Sequence, residues 1–406
     1  MQKKGAWAEW LSDSLWASVS PRRSAASEAE PSFGPPPSSS SASERESDIS
    51  RHSLLFAQLS KKEVDLDELR KLASEGIPDG AGIRSTVWKL LLGYLPRDRQ
   101  SWNEELEKRR AQYMAFKDEF LLANTSEVSR RVEEASKCVK EVIENDINGG
   151  SLERGNGAVV EHPLSLGQSS IWNQFFQDSE MVEQIDRDVK RTHPDMNFFC
   201  GDSSDAMSNQ ESLRNALIIF AKLNPGLRYV QGMNEILATL FYVFRSDPDD
   251  TNAAWAEADS FFCFVELLSG FRDNFCQKLD NSAVGIRSTL NKLSQLLKMH
   301  DPDLWHHLEV KNEVNPQFYA FRWITLLLTH EFNLADTLHI WDVLLSDPQG
   351  PQETLLRVCC AMLILARKRI LARDFASIVK LLQDYPPTNI SHLLYVANKL
   401  RAQPSA

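Results

Sequence analysis

Several familiar signatures are absent from this sequence. It has no G-x-x-x-x-G-K-[ST] loop and no G-x-G-x-x-G turn, so it lacks the backbone cradles that hold a bound nucleotide. Its six cysteines (Cys138, Cys200, Cys263, Cys276, Cys359 and Cys360) include no C-x-x-C pair, and its nine histidines show no ligand spacing around them. Free thiols in a reducing compartment are expected rather than a metal or disulfide framework. No apolar run reaches the length that spans a bilayer. The N-terminal MQKKGAWAEWLSDSLW has no long apolar stretch followed by a cleavage site, the C-terminal RAQPSA has no prenylation cysteine, and residue 2 is not glycine. A cytoplasmic location is therefore the expectation. Positive charge is also scarce: 45 Lys and Arg against 56 Asp and Glu leave a net charge of -11. That balance argues against nucleic acid as a partner and suits a protein that docks on another protein. Convincing alternating runs bounded by turn signals, the mark of strands, are missing too.

What remains is helical. The 406 residues are 42% hydrophobic and 25% charged, enough for a soluble chain with a sizeable core. Residues 1–20 place Trp7, Trp10, Leu11 and Leu15 on one helical face. A terminal arm packed on its own domain is the first expectation for this segment; peripheral contact with an endomembrane, through the Trp-rich face, is the other reading. Residues 21–50 are rich in Ser, Pro, Ala and Glu and are expected to form a disordered linker. An all-helical domain is expected over 51–402, interrupted by a flexible Gly-rich insertion near 145–170 and a shorter loop over 201–210. Within it, SLRNALIIFAKLNPG lines Leu213, Leu217 and Phe220 on one face before Pro225-Gly226 ends the segment. FRWITLLLTHEF (321–332) is apolar nearly all round and predicts a buried helix. LADTLHIWDVLL, ETLLRVCCAMLILARKRIL and DFASIVKLLQDYPP predict further helices. No fixed-period repeat is present, so the fold class is a single irregular all-α domain rather than a solenoid.

Two short segments carry candidate chemistry. In SEMVEQIDRDVKRTHP (179–194), Met181, Ile185 and Val189 form a buried stripe, while Asp188 and Arg191 share another face. Pro194 disfavours helical geometry at His193, which places Arg191 in the last turn, where a cation suits the helix dipole. Asp188 can hold the guanidinium by a charge-assisted hydrogen bond. In LNPGLRYVQGMNEILATLFYVF (223–244), Gln231 lies at or just before a helix start, Gly232 leaves room beside it, and Tyr229 can orient the strip. Taken singly, each residue also has a plain structural explanation, as an ion-paired helix end and as a capping or loop glutamine.

Together the segments resemble a known family. IDRDVKRTHP (185–194) and YVQGM (229–233) resemble the two fingerprint motifs of the TBC-domain Rab GTPase-activating proteins. GIPDGAGIRSTVWKLLLG (76–93), with Arg84, Trp88 and Gly93, resembles the family's opening signature. RWITLLLTHEFNLADTLHIWDVLL (322–345), with Trp323, Glu331, Phe332, Trp341 and Asp342, resembles its late segment. The resemblance runs over roughly residues 70–400 and implies a two-lobed, V-shaped helical domain. It implies GTP hydrolysis on a GTP-bound Rab, accelerated in trans by two fingers, and hence a role in vesicle trafficking. Arg191 matches the catalytic arginine and Gln231 the catalytic glutamine, with Asp188, Tyr229 and Gly232 in support. It implies no cofactor of the chain's own, since GTP and Mg are carried by the partner. Departures are the long insertion before the arginine motif, Arg228 ahead of Tyr229, and Gly82 near a position often occupied by an apolar residue.

The residue types suit that chemistry. Phosphoryl transfer to water needs positioning and charge stabilisation more than covalent help. Arginine is always charged and forked to match phosphate oxygens. Glutamine can accept a hydrogen bond from water while donating toward the phosphate. The competing expectation is a non-catalytic Rab-binding effector or scaffold, which would have no need of both fingers. A helical adaptor unrelated to GTPases would leave four ordered motifs to chance. His306, His307, His330 and His339 are assigned to packing or solvent.

Overall fold

Apolar residues recurring at three- and four-residue intervals draw the chain into helices that share one hydrophobic core. The structure, a computed structural model, describes residues 40–78, 82–123, 171–275 and 285–400. The N-terminal Trp-rich segment, the linker up to residue 39 and the Gly-rich insertion near 145–170 lie outside the described residues. In order, the longer helices are α1 (Ser40–Leu59), α2 (Leu66–Ala73), α3 (Ile83–Leu91), α4 (Trp102–Lys117), α5 (Ile171–Lys190), α6 (Ser204–Leu223) and α7 (Met233–Arg245). They continue as α8 (Ala256–Ser269), α9 (Ile286–His300), α10 (Ala320–Thr325), α11 (Leu334–Leu345), α12 (Pro351–Leu365), α13 (Phe375–Gln383) and α14 (Ile390–Lys399). No strand occurs among the described residues, and the all-α class holds.

Three local expectations change. Helix α1 begins at Ser40, inside the stretch expected to be a linker over 21–50. Pro37 is the last proline before it, residues 38–59 contain neither Pro nor Gly, and buried Leu55 and Leu59 anchor the helix to the core. The expected loop over 201–210 is mostly the first turns of α6, because the Ser203 hydroxyl accepts from the Ala206 amide at 3.1 Å and caps the helix. The third change is in FRWITLLLTHEF. The segment is buried, yet α10 stops at Thr325 and the chain turns at Leu327 and Leu328, with φ of 50° and 66°. The buried backbone is satisfied another way: the Trp341 indole donates to the Leu327 carbonyl at 3.1 Å, and the Leu328 amide donates to the Trp323 carbonyl at 3.0 Å.

Helix α7 is the central strut. Met233, Ile236, Leu237, Leu240 and Phe244 are all fully buried, each worth about 1.5–3 kcal/mol relative to exposure. It packs against α8 and α6, while α12 packs against α14 and α9. Two buried aspartates tie distant segments together. Asp259 on α8 accepts from Lys89 (2.6 Å), Tyr94 (2.8 Å) and Arg110 (2.8 Å). Asp342 on α11 accepts from the Arg84 guanidinium, from the Trp88 indole at 2.8 Å and from the Ile77 amide at 2.9 Å. The opening and late motifs thereby lock onto each other, with the Trp88 and Trp341 rings 5.7 Å apart. Gly82, just ahead of α3, has a φ of 67°, and a Cβ there would lie 2.8 Å from the Asp247 carboxylate, so a larger residue is sterically excluded at this position.

Candidate functional site

Helix α5 buries the predicted stripe of Met181, Ile185 and Val189. It ends at Lys190, one residue before Arg191. The Arg191 and Thr192 amides still bond back to the Asp188 and Val189 carbonyls, and His193 then turns with φ 42° ahead of Pro194. Arg191 therefore stands on the turn just past the helix. Its side chain is 54% exposed, and one Nη2 bond to Asp188 Oδ1 at 2.5 Å holds it.

The second segment makes a tight turn over 230–232, closed by the Met233 amide bonding to the Val230 carbonyl at 3.1 Å. Gly232 has φ 99°, a left-handed geometry that a side chain would strain, and α7 starts at Met233. Gln231 sits on that turn, partly exposed, and among the described residues its side chain makes no hydrogen bond.

A buried polar node joins the two turns. Asp188 lies beneath both, receiving Arg191 on Oδ1 and the Tyr229 hydroxyl on Oδ2 at 2.6 Å. Asn234, at the start of α7, donates to Thr192 Oγ1 at 2.8 Å and to the Asp188 carbonyl at 3.3 Å. Its own oxygen accepts the Gly232 amide at 3.2 Å and lies 3.1 Å from the Tyr229 hydroxyl. Burial pushes the Asp188 carboxyl above its ordinary value, although Tyr229, Arg191 and Arg187 oppose the shift. Burial, reinforced by Asp188, holds the Tyr229 phenol far above its usual value, so it stays a donor. The node fixes both backbone turns while leaving the ends of Arg191 and Gln231 toward solvent.

All five residues expected from the sequence (Asp188, Arg191, Tyr229, Gln231 and Gly232) fall on these two turns or in the node between them. Asn234 and Thr192 were not singled out, although they do as much to hold the turns. The signal was a polar Asn-Glu pair on the first turn of an otherwise apolar helix, where burial obliges a polar group to find a partner.

An all-helical core whose paired turns present an arginine and a glutamine defines the class. The profile of the Rab-GTPase-TBC domain matches residues 166–371, and this chain belongs to that family. TBC1 domain family member 13 of Homo sapiens is 35% identical over 403 residues, covering 84% of this chain and 96% of the relative; the Mus musculus protein of that name gives the same values. GTPase-activating protein gyp1 of Schizosaccharomyces pombe is 29% identical over 338 residues, covering 80% of this chain and 54% of the relative. Among solved structures, the Ypt/Rab-GAP domain of Gyp1p superposes with a TM-score of 0.65 at 24% identity, covering 87% of this chain and 97% of that one, a likeness of fold.

Proposed function

We propose that the protein stimulates GTP hydrolysis by a GTP-bound Rab, inserting Arg191 and Gln231 in trans into the partner's nucleotide site. The observation that carries this reading is the shared Asp188 node: it sets the two turns side by side and leaves both functional ends unburied. Arg191 would neutralise charge growing on the γ-phosphate oxygens, and Gln231 would orient the attacking water. Asp188 and Tyr229 hold the geometry, and Gly232 lets the partner approach closely. GTP and Mg belong to the partner, so the chain needs no cofactor of its own. An arginine finger contributes about 10³–10⁵ in rate, or roughly 4–7 kcal/mol of barrier. This activity would place the protein in the cytoplasm, acting on vesicle traffic, with the N-terminal Trp-rich segment available for peripheral membrane contact. No described helix is long and apolar enough to cross a membrane.

A panel of GTP-loaded Rabs, assayed for phosphate release with wild-type and Arg191→Ala protein, tests the reading. Stimulation of one or a few Rabs by the wild type alone supports it. Equal stimulation by both proteins, or by neither, removes it.

A further inference from the structure

Glu235 is a buried charge that interacts with Arg191 and that the proposed mechanism does not use. It lies on the first turn of α7 and is 5% exposed. A carboxylate taken out of water needs opposite charge or a full set of hydrogen bonds. Glu235 Oε1 accepts one bond, from Asn234 Nδ2 at 3.2 Å. Two imidazoles from other elements face it. His193 Nε2, from the turn after α5, is 3.5 Å from Oε2, and His330 Nε2, from the turns after α10, is 3.7 Å from Oε1. Burial opposes ionisation of Glu235, but His330, His193 and Arg191 outweigh it and hold the carboxyl below its ordinary value. His330, expected to serve packing or solvent, thus sits at a buried charge.

His193 connects this group to the finger. It is two residues beyond Arg191 and takes the left-handed backbone conformation that ends the turn. Its ring stacks on buried Phe199 at 5.6 Å, and its Nε2 is a buried polar atom with no hydrogen bond. A buried nitrogen 3.5 Å from a carboxylate oxygen with no hydrogen bond between them is a contact that a small displacement of the turn can close. Polar contacts that support catalysis are often long in the free protein and tighten in the working complex.

We propose that Glu235 is a positioning residue for Arg191, acting through His193: when the partner docks, His193 Nε2 closes onto Glu235 Oε2 and locks the Arg191–His193 turn with the guanidinium aimed. Asn234, bonded to the other carboxylate oxygen at 3.2 Å, keeps Glu235 from following the movement, with the His330 ring 3.7 Å from that same oxygen. The inference rests on the two-finger reading above.

The test compares wild type, Arg191→Ala, His193→Asn and His193→Gln on whichever Rab the wild type stimulates. Asparagine tolerates the left-handed turn but is too short to reach Glu235, whereas glutamine can place a donor near the Nε2 position. The expected result for His193→Asn is a kcat lower by about tenfold, within what a misplacement of about 1 Å costs, with KM and Tm close to wild type. His193→Gln should recover most of that loss. A His193→Asn protein with wild-type kcat, on a Rab whose stimulation Arg191→Ala abolishes, overturns the positioning role and leaves the finger reading standing. If kcat and Tm fall together and glutamine does not restore kcat, His193 is a structural residue and the proposal fails. If the wild type stimulates no Rab, the two-finger reading fails and takes this one with it.

Discussion

Asp188 and Asp342 are built alike and used differently. Each is a buried carboxylate that accepts an arginine and an aromatic side-chain donor, Arg191 and Tyr229 in one case, Arg84 and Trp88 in the other. Arg84 is 14% exposed, bonds to Asp342 and the Ile77 carbonyl, and closes a junction between segments more than 250 residues apart. Arg191 is 54% exposed and is held at one nitrogen. At Asp342 the arginine is spent on the fold. At Asp188 most of its donors remain available, and Tyr229, Asn234 and Thr192 carry the structural role instead. Rigidity beneath an exposed charge is what a finger needs, because a pre-aimed guanidinium loses little freedom when it meets phosphate.

The comparison can be broken at either arginine. Arg191→Ala should lower the stimulated hydrolysis rate by about 10³-fold or more, while Tm stays within a few degrees of wild type. Arg191→Lys should fail similarly, since lysine lacks the fork. Single-turnover phosphate release beside a thermal melt checks both halves. Asp342→Ala should do the opposite: leaving Arg84 buried and unpaired should cost about 3–5 kcal/mol of stability, read from urea unfolding, with activity lost only as folded protein is lost. If Asp342→Ala abolished hydrolysis in protein still fully folded, the division of labour would be mistaken.

Gln231→Ala should lower the stimulated rate by about 10²-fold with no loss of stability, because the side chain makes no hydrogen bond among the described residues. An unchanged single-turnover rate would reassign Gln231 to the turn.

The carboxyls also separate by pH. Burial raises Asp342 from the ordinary 3.8 to about 6, against Arg84, the Ile77 amide and Trp88. The folded state then binds this proton more tightly than the unfolded state, so the Asp342 contribution to stability falls as pH rises from about 4 to about 6, by up to about 3 kcal/mol. Asp188 shifts in the same direction. For Asp259, burial is outweighed by Arg110 and Lys89 and the carboxyl lies below its ordinary value. Its contribution is present above pH 4 and is lost as pH falls through the folded value. Urea unfolding of wild type and Asp342→Asn between pH 4 and 7 should show the wild-type advantage shrinking as pH rises; a growing advantage would contradict the assignment. The smallest effect is expected for Tyr229→Phe, about 1 kcal/mol of stability for one buried hydrogen bond, with a modest fall in kcat.

Much of this site was legible because its parts are local. The Met181–Ile185–Val189 stripe, the Asp188–Arg191 pair three residues apart and Gln231 ahead of Gly232 are all set within one or two helical turns. Spacing could not show that Tyr229 reaches Asp188, or that Asn234 reaches Thr192, since those contacts close loops of about forty residues. The family resemblance implied two fingers acting together; the node physically links the turns that carry Arg191 and Gln231. The helix expected over FRWITLLLTHEF failed for a related reason: an apolar run reports burial, but the Trp341 indole that satisfies the Leu327 carbonyl lies fourteen residues away. The early start of α1 was hidden by composition, because Ser and Glu resemble linker until Leu55 and Leu59 find the core.

The most direct measurement of the central claim is kcat and KM, separately, for wild type and Arg191→Ala on the Rab that the wild type stimulates. The account predicts that kcat collapses while KM changes by no more than a few-fold, since Arg191 acts on the transition state and the docking surface is intact. A mutant with undiminished kcat, or one whose defect lies wholly in KM, would contradict it.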